Sequence, residues 1–222
     1  NAYGFGDVKP LKDIDSVTLD SLMKYVGFHK VRINPDGTVS KEYPQIYFDF
    51  NAVAKGYGID CLGGYLESKG VTDYLIELGG EILTKGENLD KNQKWVVGIE
   101  AVDSELEDRS YEAMVTLKNE GMASSGNYRK FRIDSLTGKK YVHTLNPLTG
   151  SAEMSDVTSS TVIAPTCGVA DAYATSFMAL GLEKSKELLK SLPNVEAYLT
   201  YTDSLNQHQV YITDGFKKLM SQ

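Results

Sequence analysis

The chain has 222 residues, a formal net charge of −7 at pH 7 and a hydrophobic fraction of 41%, which is the composition of an ordinary globular protein. The acidic balance argues against a broad nucleic-acid surface, and the sequence has no basic cluster that would supply one. No apolar run approaches the roughly 18 residues that suggest a membrane span. The two cysteines, Cys61 and Cys167, form no metal-ligand pattern. They are predicted to be buried free thiols, with a single disulfide bridge as the alternative.

The first part of the chain predicts a short helix followed by strands. Residues 15–26 carry apolar side chains at helical spacing, and Gly27 follows them as a stop residue. Residues 28–34 and 38–41 flank Pro35-Asp36-Gly37, a turn sequence that predicts a hairpin. Residues 45–50 alternate in polarity, which predicts a strand with Ile46, Phe48 and Phe50 on one face.

The segment Asp49-Phe-Asn-Ala-Val-Ala-Lys-Gly-Tyr-Gly-Ile-Asp60 connects that strand to a predicted helix, which ends at Gly70. Lys55 therefore lies at a strand-to-helix junction, where unpaired backbone N–H groups favour an anion. Gly56 and Gly58 allow a ligand or a second backbone to approach closely. A structural first turn with a solvated lysine fits the same residues.

The middle of the chain is rich in predicted strands. Residues 72–78 and 81–85 are strands separated by Gly79-Gly80, which fits a bulge in a central strand. Residues 95–100 and 111–117 are two more strands, joined by an acidic loop. Residues 123–128 have the composition of a turn, and residues 129–134 and 139–145 are predicted to pair around another turn.

His143 ends the last of these strands, directly before the loop Asn146-Pro-Leu-Thr-Gly150. A histidine in this position fits a satisfied core side chain as well as a functional one. His29 and His208 lie in segments predicted as ordinary amphipathic strands and are given no role.

Residues 162–181 predict a helix of small residues that begins after Pro165 and Gly168 and ends at Gly181. Asp171 and Thr175 are four residues apart and share one face near its start. A carboxylate and a hydroxyl are hard oxygen ligands that suit magnesium or calcium. The alternative is an aspartate that complements the helix dipole, with Thr175 bonded back to a carbonyl. A helix over 182–192 and a hairpin of residues 194–201 and 208–213 complete the chain.

Five segments, in order, resemble the ApbE family of magnesium-dependent FAD:protein FMN transferases. They are the segment from Asp49 to Asp60, Glu77-Leu-Gly-Gly-Glu-Ile82, Ala123-Ser-Ser-Gly-Asn-Tyr128, His143-Thr-Leu-Asn-Pro-Leu-Thr-Gly150 and Ala170-Asp-Ala-Tyr-Ala-Thr175. The resemblance runs through essentially the whole chain. Family members carry a further N-terminal segment, so the resemblance implies a truncated or processed form.

The resemblance implies a site as well as a family. Its magnesium ligands would be Asp171, Thr175 and the backbone carbonyl of Ala52, and Lys55 would bind the diphosphate of FAD. His143 would accept the proton of the attacking hydroxyl. The remaining implied contacts to flavin or phosphate are Gly79, Gly80, Ser124, Ser125 and Gly126. At Asn146 the family usually has aspartate, so a carboxylate role is replaced here by an amide.

We therefore expect an α+β fold, T-fold-like, with mainly antiparallel sheet, a few packed helices and a single domain over residues 1–222. The implied reaction transfers FMN from FAD to a Thr or Ser hydroxyl of an acceptor flavoprotein and releases AMP. The alternatives are a magnesium-dependent FAD pyrophosphatase and a non-catalytic FAD-binding module. The resemblance also implies a location in the periplasm or on the outer face of the cell membrane, with any anchoring through the N-terminal segment that this chain lacks.

Overall fold

The computed structural model describes residues 2–3, 5, 11, 14–101, 110–127, 131–133, 140–152 and 155–221. Contacts divide the chain into a smaller unit, residues 1–49 with 130–154, and a larger unit, residues 50–129 with 155–222. No helix within the described ranges is long and apolar enough to cross a membrane. The prediction of one domain over residues 1–222 stays a prediction.

The described residues form five α-helices and twelve strands. The helices are α1 (Ser16–Met23), α2 (Ala54–Ser68), α3 (Cys167–Leu180), α4 (Leu182–Leu189) and α5 (Asp214–Leu219). The first six strands are β1 (Val31–Ile33), β2 (Val39–Lys41), β3 (Tyr74–Leu78), β4 (Glu81–Lys85), β5 (Trp95–Glu100) and β6 (Tyr111–Leu117). The other six are β7 (Gly121–Gly126), β8 (Phe131–Ile133), β9 (Lys140–Val142), β10 (Val157–Ala164), β11 (Glu196–Thr202) and β12 (His208–Ile212).

In the smaller unit, local hydrogen bonds determine where the elements begin and end. The Asp15 carboxylate accepts a hydrogen bond from the Thr18 N–H at 2.7 Å and so caps the start of α1. At the other end, the Lys30 ammonium donates to carbonyls of the last turn, including that of Lys24 at 2.8 Å. The predicted hairpin is confirmed as β1 and β2, which pair antiparallel, but residues 28–30, including His29, form a short 3-10 helix and not the start of the strand. Strand β8 pairs antiparallel with β9.

The strand predicted over residues 45–50 is absent, since residues 46–50 have no regular structure. Ile46 is buried, but Phe48 and Phe50 are exposed. The Phe50 carbonyl accepts hydrogen bonds from the N–H groups of Val53 at 3.0 Å and Ala54 at 2.9 Å. It therefore already belongs to the turn that leads into α2. An alternating pattern forms a strand only where a neighbouring strand pairs with it.

The larger unit is built on a six-stranded antiparallel sheet in the order β12-β11-β10-β7-β4-β3. Successive residues of β10 face opposite sides of this sheet, so Val162 and Ile163 belong to different apolar clusters. The Val162 cluster includes Ala170, Ala174 and other α3 side chains, and the Ile163 cluster includes side chains of β5, β6 and α5. The α+β fold with mainly antiparallel sheet is thus confirmed.

Two sequence interpretations within this sheet were wrong. Gly79-Gly80 is not a bulge in a central strand but the turn of the β3–β4 hairpin, and β3 is an edge strand. Both glycines have positive φ, +62° and +101°, as a tight two-residue hairpin turn requires. Residues 123–126 are not a turn but the second half of β7, paired along β10. Small polar residues have low strand propensity, so pairing with β10 rather than local preference makes them a strand.

Candidate active site

Helices α2 and α3 approach each other closely at Gly56. A Cβ atom at this position would lie 2.5 Å from the Cys167 carbonyl oxygen and 2.8 Å from the Cβ of Asp171. Only glycine permits such a contact, so the prediction that a second backbone approaches here is confirmed. Gly58, in contrast, faces open space. The contact places the first turn of α2 beside Asp171.

Asp171 is a buried carboxylate with a single hydrogen bond. Its side chain is 4% exposed, and Oδ2 accepts a hydrogen bond from the Gly56 N–H at 3.0 Å. Among the described residues nothing donates to Oδ1. Burial raises the pKa of this carboxyl, whereas the Gly56 N–H and the Lys55 charge act in the opposite direction. A carboxylate in a largely buried residue, with one oxygen that accepts no hydrogen bond from the described residues, is a strong ligand for a cation.

The alternative role of Asp171, complementing the dipole at the helix start, is filled by Asp60. Asp171 is the fifth residue of α3 and lies beyond its first turn. The Asp60 carboxylate accepts hydrogen bonds from the N–H groups of Cys167 and Gly168, each at 2.8 Å. Thr166 accepts a third, from Val169. These acceptors occupy the start of α3, which leaves Asp171 for a different function.

Thr175 lies one turn after Asp171 and faces β7. Its Oγ1 is 3.1 Å from the Ser125 Oγ. The neighbouring Ser176, not Thr175, bonds back to a helix carbonyl, that of Ala172 at 2.8 Å. Asp171, Thr175 and Ser125 thus present three side-chain oxygen groups along one side of α3.

Lys55 forms an ion pair with Glu81, which lies in the motif Glu77-Leu-Gly-Gly-Glu-Ile82 but was given no role of its own from the sequence. The Lys55 ammonium also lies 3.5 Å from the Gly79 carbonyl oxygen. The Lys55 side chain is 49% exposed, whereas that of Glu81 is 3% exposed. Burial raises the pKa of Glu81. The ion pair with Lys55 lowers this pKa in part, and the negative charge of Asp171 raises it further. The hairpin turn therefore brings a second buried carboxylate into the site.

The backbone at the start of α2 contributes less to an anion site than predicted. The N–H groups of Val53 and Ala54 bond to the Phe50 carbonyl, and that of Gly56 bonds to Asp171. Lys55 is in the first turn of the helix, as predicted, but the residues before it are not a strand. Attraction of an anion here therefore depends on the side-chain charge of Lys55. Ala52 is half-buried in the turn just before α2.

Ser124, Ser125 and Gly126 form the end of β7, where alternation separates the two serines. The Ser124 hydroxyl is 2.8 Å from that of Thr161, whereas Ser125 faces Thr175. The predicted flavin or phosphate contacts of Ser124, Ser125 and Gly126, like those of the Gly79-Gly80 turn, stay predictions.

His143 and Asn146 belong to the smaller unit. His143 is exposed, which excludes the satisfied core histidine, and its ring lies edge-on to that of Phe5 with centroids 6.5 Å apart. The Asn146 side-chain oxygen accepts a hydrogen bond from the Leu148 N–H at 3.0 Å, and its carbonyl accepts one from Gly150 at 2.8 Å. Asn146 therefore organises the loop that follows His143.

The oxygen groups of the larger unit suit a hard cation. Magnesium is bound through one or two carboxylates together with substrate oxygens and retained waters. The Asp171 carboxylate, the Thr175 hydroxyl and the Ala52 carbonyl fit that preference. Within the described part of the chain no three His, Cys, Asp or Glu side chains are grouped in a way that could hold a metal. Of the Asp171, Thr175 and Ala52 groups only Asp171 carries a charge, so a site formed by these three would depend on one strong anionic ligand.

The sequence matches the model of the ApbE family over residues 1–199. The chain belongs to the ApbE family. A relative from Haemophilus influenzae, named FAD:protein FMN transferase, is 35% identical and aligns with 99% of this chain and 63% of its own length. Another of that name, from Vibrio cholerae, is 30% identical and aligns with 100% of this chain and 64% of its own length.

Solved structures of ApbE proteins share the fold. The flavin transferase ApbE from Vibrio cholerae is 28% identical, has a TM-score of 0.81, and the match covers 98% of this chain and 67% of that one. The apo form of the Pseudomonas stutzeri flavinyl transferase ApbE is 26% identical with a TM-score of 0.82, covering 99% and 66%. The chain spans less than two thirds of the length of these curated relatives from Haemophilus influenzae and Vibrio cholerae.

Proposed function

We propose that this chain catalyses magnesium-dependent transfer of FMN from FAD to a Thr or Ser hydroxyl of an acceptor flavoprotein, with release of AMP. The observation that carries the proposal is the buried Asp171 carboxylate, whose Oδ1 has no donor among the described residues, beside the Lys55–Glu81 pair. The names of the relatives, FAD:protein FMN transferase, support the choice of reaction.

In this proposal Asp171, Thr175 and the Ala52 carbonyl hold the metal, which when bound supplies Lewis-acid neutralisation of charge at the diphosphate. Lys55 binds the diphosphate of FAD. Glu81 holds the Lys55 ammonium next to Gly79, so that the flexible side chain is already directed into the site. Fixing a charged group in advance reduces the entropy lost when the substrate binds.

His143 accepts the proton of the attacking hydroxyl. The acceptor oxygen forms a bond to the phosphorus of the FMN half as the bond from that phosphorus to the bridging oxygen breaks. AMP leaves with the bridging oxygen, and the hydroxyl proton passes to the imidazole. A location in the periplasm or on the outer face of the membrane is part of the same proposal.

The decisive experiment measures AMP release and acceptor-bound flavin with FAD and magnesium, in the presence and absence of a candidate acceptor protein. We expect both products only with acceptor. AMP released without acceptor would identify a pyrophosphatase, and FAD binding without AMP would identify a binding module.

Variants assign the roles. Asp171→Asn removes the strong anionic ligand and should abolish turnover, together with measurable magnesium binding in calorimetry. His143→Asn should lower single-turnover transfer at saturating FAD by about a hundred- to ten-thousand-fold, the usual contribution of a positioned base. FAD and magnesium affinities should stay within a few-fold. Fast saturated transfer by the His143 variant would remove the residue from the catalytic role.

A further inference from the structure

Three hydroxyl groups near Asp171 lie between α3 and the sheet. They belong to Thr175 of α3, Ser125 of β7 and Ser160 of β10. The Thr175 Oγ1 lies 3.1 Å from the Ser125 Oγ. Ser125 is directly opposite Ser160 in the antiparallel β7–β10 pair. Opposed residues in such a pair project to the same face, with Cβ atoms about 4.5–5.5 Å apart. Ser160 therefore lies next to Ser125 on the face of the sheet that packs against α3.

Ser160 is unusual within this set because it is fully buried with an unused hydroxyl. Its exposed fraction is 0%, and among the residues that the structure describes no group forms a hydrogen bond with its Oγ. A buried hydroxyl without a partner is unfavourable, because it has lost its hydrogen bonds to water and gained none from the protein. The nearby Ser124, Ser159 and Thr158 side chains all have hydroxyl partners, so the strand does not leave such groups unsatisfied in general.

A hydroxyl that binds a cation has a particular hydrogen-bonding requirement. Its lone pair faces the metal, so its hydrogen must point away and needs an acceptor. The Ser125 Oγ, 3.1 Å from the Thr175 Oγ1, is in position to be that acceptor. Once the Ser125 oxygen accepts, its own hydrogen needs an acceptor in turn. Ser160 lies directly opposite Ser125 and its hydroxyl has no other partner within the described part of the chain, and side chains so paired are close enough to interact.

We propose that Ser125 and Ser160 are positioning residues for the metal site, forming a hydroxyl chain in which Thr175 donates to Ser125 and Ser125 donates to Ser160. The chain orients the lone pair of the Thr175 hydroxyl toward the cation beside Asp171. The Ser160 hydroxyl, which has no hydrogen-bond partner among the described residues, then accepts a hydrogen bond from Ser125 when the cation is bound. This inference rests on the proposed function, because it assumes that Asp171 and Thr175 hold a divalent cation.

The experiment compares metal affinity with stability in the full 222-residue chain. Manganese, which shares the oxygen preference of magnesium and is paramagnetic, is titrated by electron paramagnetic resonance, and magnesium is then added as competitor. Metal-free stability is measured separately by urea unfolding. The variants are Ser160→Ala, Ser125→Ala, the double variant and, as control, Ser185→Ala.

Ser160→Ala should weaken metal binding by about 2- to 10-fold, the value of one hydrogen bond, while metal-free stability stays equal or rises. Stability should not fall because the serine removed has no partner. Ser185 is equally buried, but its hydroxyl donates to the Gly181 carbonyl at 2.6 Å. Ser185→Ala should therefore lower stability and leave metal affinity unchanged.

The double variant tests the order of the chain. If Ser160 acts through Ser125, the double variant should bind metal no more weakly than Ser125→Ala alone. Additive losses, or unchanged affinity in Ser160→Ala, would overturn the inference while the proposed function stands. A wild-type chain that binds neither manganese nor magnesium would overturn both.

Discussion

At the scale of single residues, Glu81 is where burial and charge oppose each other most directly. Its carboxyl is 3% exposed, and burial raises its pKa although Lys55 lies beside it. The folded state therefore holds the Glu81 proton more tightly than the unfolded state does. Its contribution to the free energy of unfolding is present below the unfolded pKa and is lost as the pH rises through the folded pKa.

The Glu81→Gln variant cannot lose a proton at this position, so its stability should fall less than that of the wild type as the pH rises above the ordinary carboxyl range. Denaturant unfolding at a series of pH values measures the effect. Glu183→Gln is the matched control, because Glu183 pairs with Lys186 on the surface and its side chain is 81% exposed. An unchanged pH slope in Glu81→Gln would contradict the buried, proton-retaining carboxyl.

The two cysteines should differ sharply in reactivity. Cys61 is exposed, contrary to prediction, whereas Cys167 is buried as predicted. Burial, followed by the nearby carboxylates, raises the pKa of the Cys167 thiol to about 12. The thiolate is the reactive form of cysteine, so a disulfide reagent at pH 8 should modify Cys61 rapidly in the folded protein and Cys167 slowly. Cys61→Ser should show no rapid phase until the chain is unfolded, and two rapid phases in the wild type would contradict this structure.

At the scale of elements, the contact between α2 and α3 makes opposite predictions for two glycines of one helix. Gly56→Ala introduces a Cβ 2.5 Å from the Cys167 carbonyl oxygen and should destabilise by about 1–3 kcal/mol. Gly64→Ala meets nothing within 4 Å and should stabilise by up to about 1 kcal/mol, because alanine favours the helix. Urea unfolding measures both stability changes as shifts of the midpoint concentration, provided that the dependence of the free energy of unfolding on urea is unchanged. Equal effects at the two positions would refute the close helix contact.

At the scale of the whole molecule, the proposed function predicts how ligands change stability. With magnesium, FAD at a hundred times its dissociation constant should raise the free energy of unfolding by about 2.7 kcal/mol. Lys55→Met should reduce the shift with FAD far more than the shift with riboflavin, which has no phosphate. The substitution keeps the aliphatic stem, so stability without ligand should change little. Equal loss for both ligands would indicate a packing role for Lys55.

The sequence by itself determined the elements whose signals are local. Residues 95–100 and 111–117 were predicted as strands with the observed bounds, because apolar, β-branched and aromatic residues make up most of each segment. Gly181 ends α3 as predicted, with φ at +78°. The ordered motifs also identified the family, since each of them is a short stretch of residues.

Only the tertiary structure decided which groups meet. Lys55 and Glu81 are 26 positions apart, Ser125 and Thr175 are 50 apart, and Gly56 and Asp171 are 115 apart. No periodicity or propensity links positions at such separations, because the pairing of strands and the packing of helices bring them together. The same reason explains both errors in strand assignment: residues 45–50 had the pattern without a partner strand, and residues 123–126 had the partner without the pattern. Backbone hydrogen bonds to a neighbouring strand, and not the alternation of side chains, make a segment a strand.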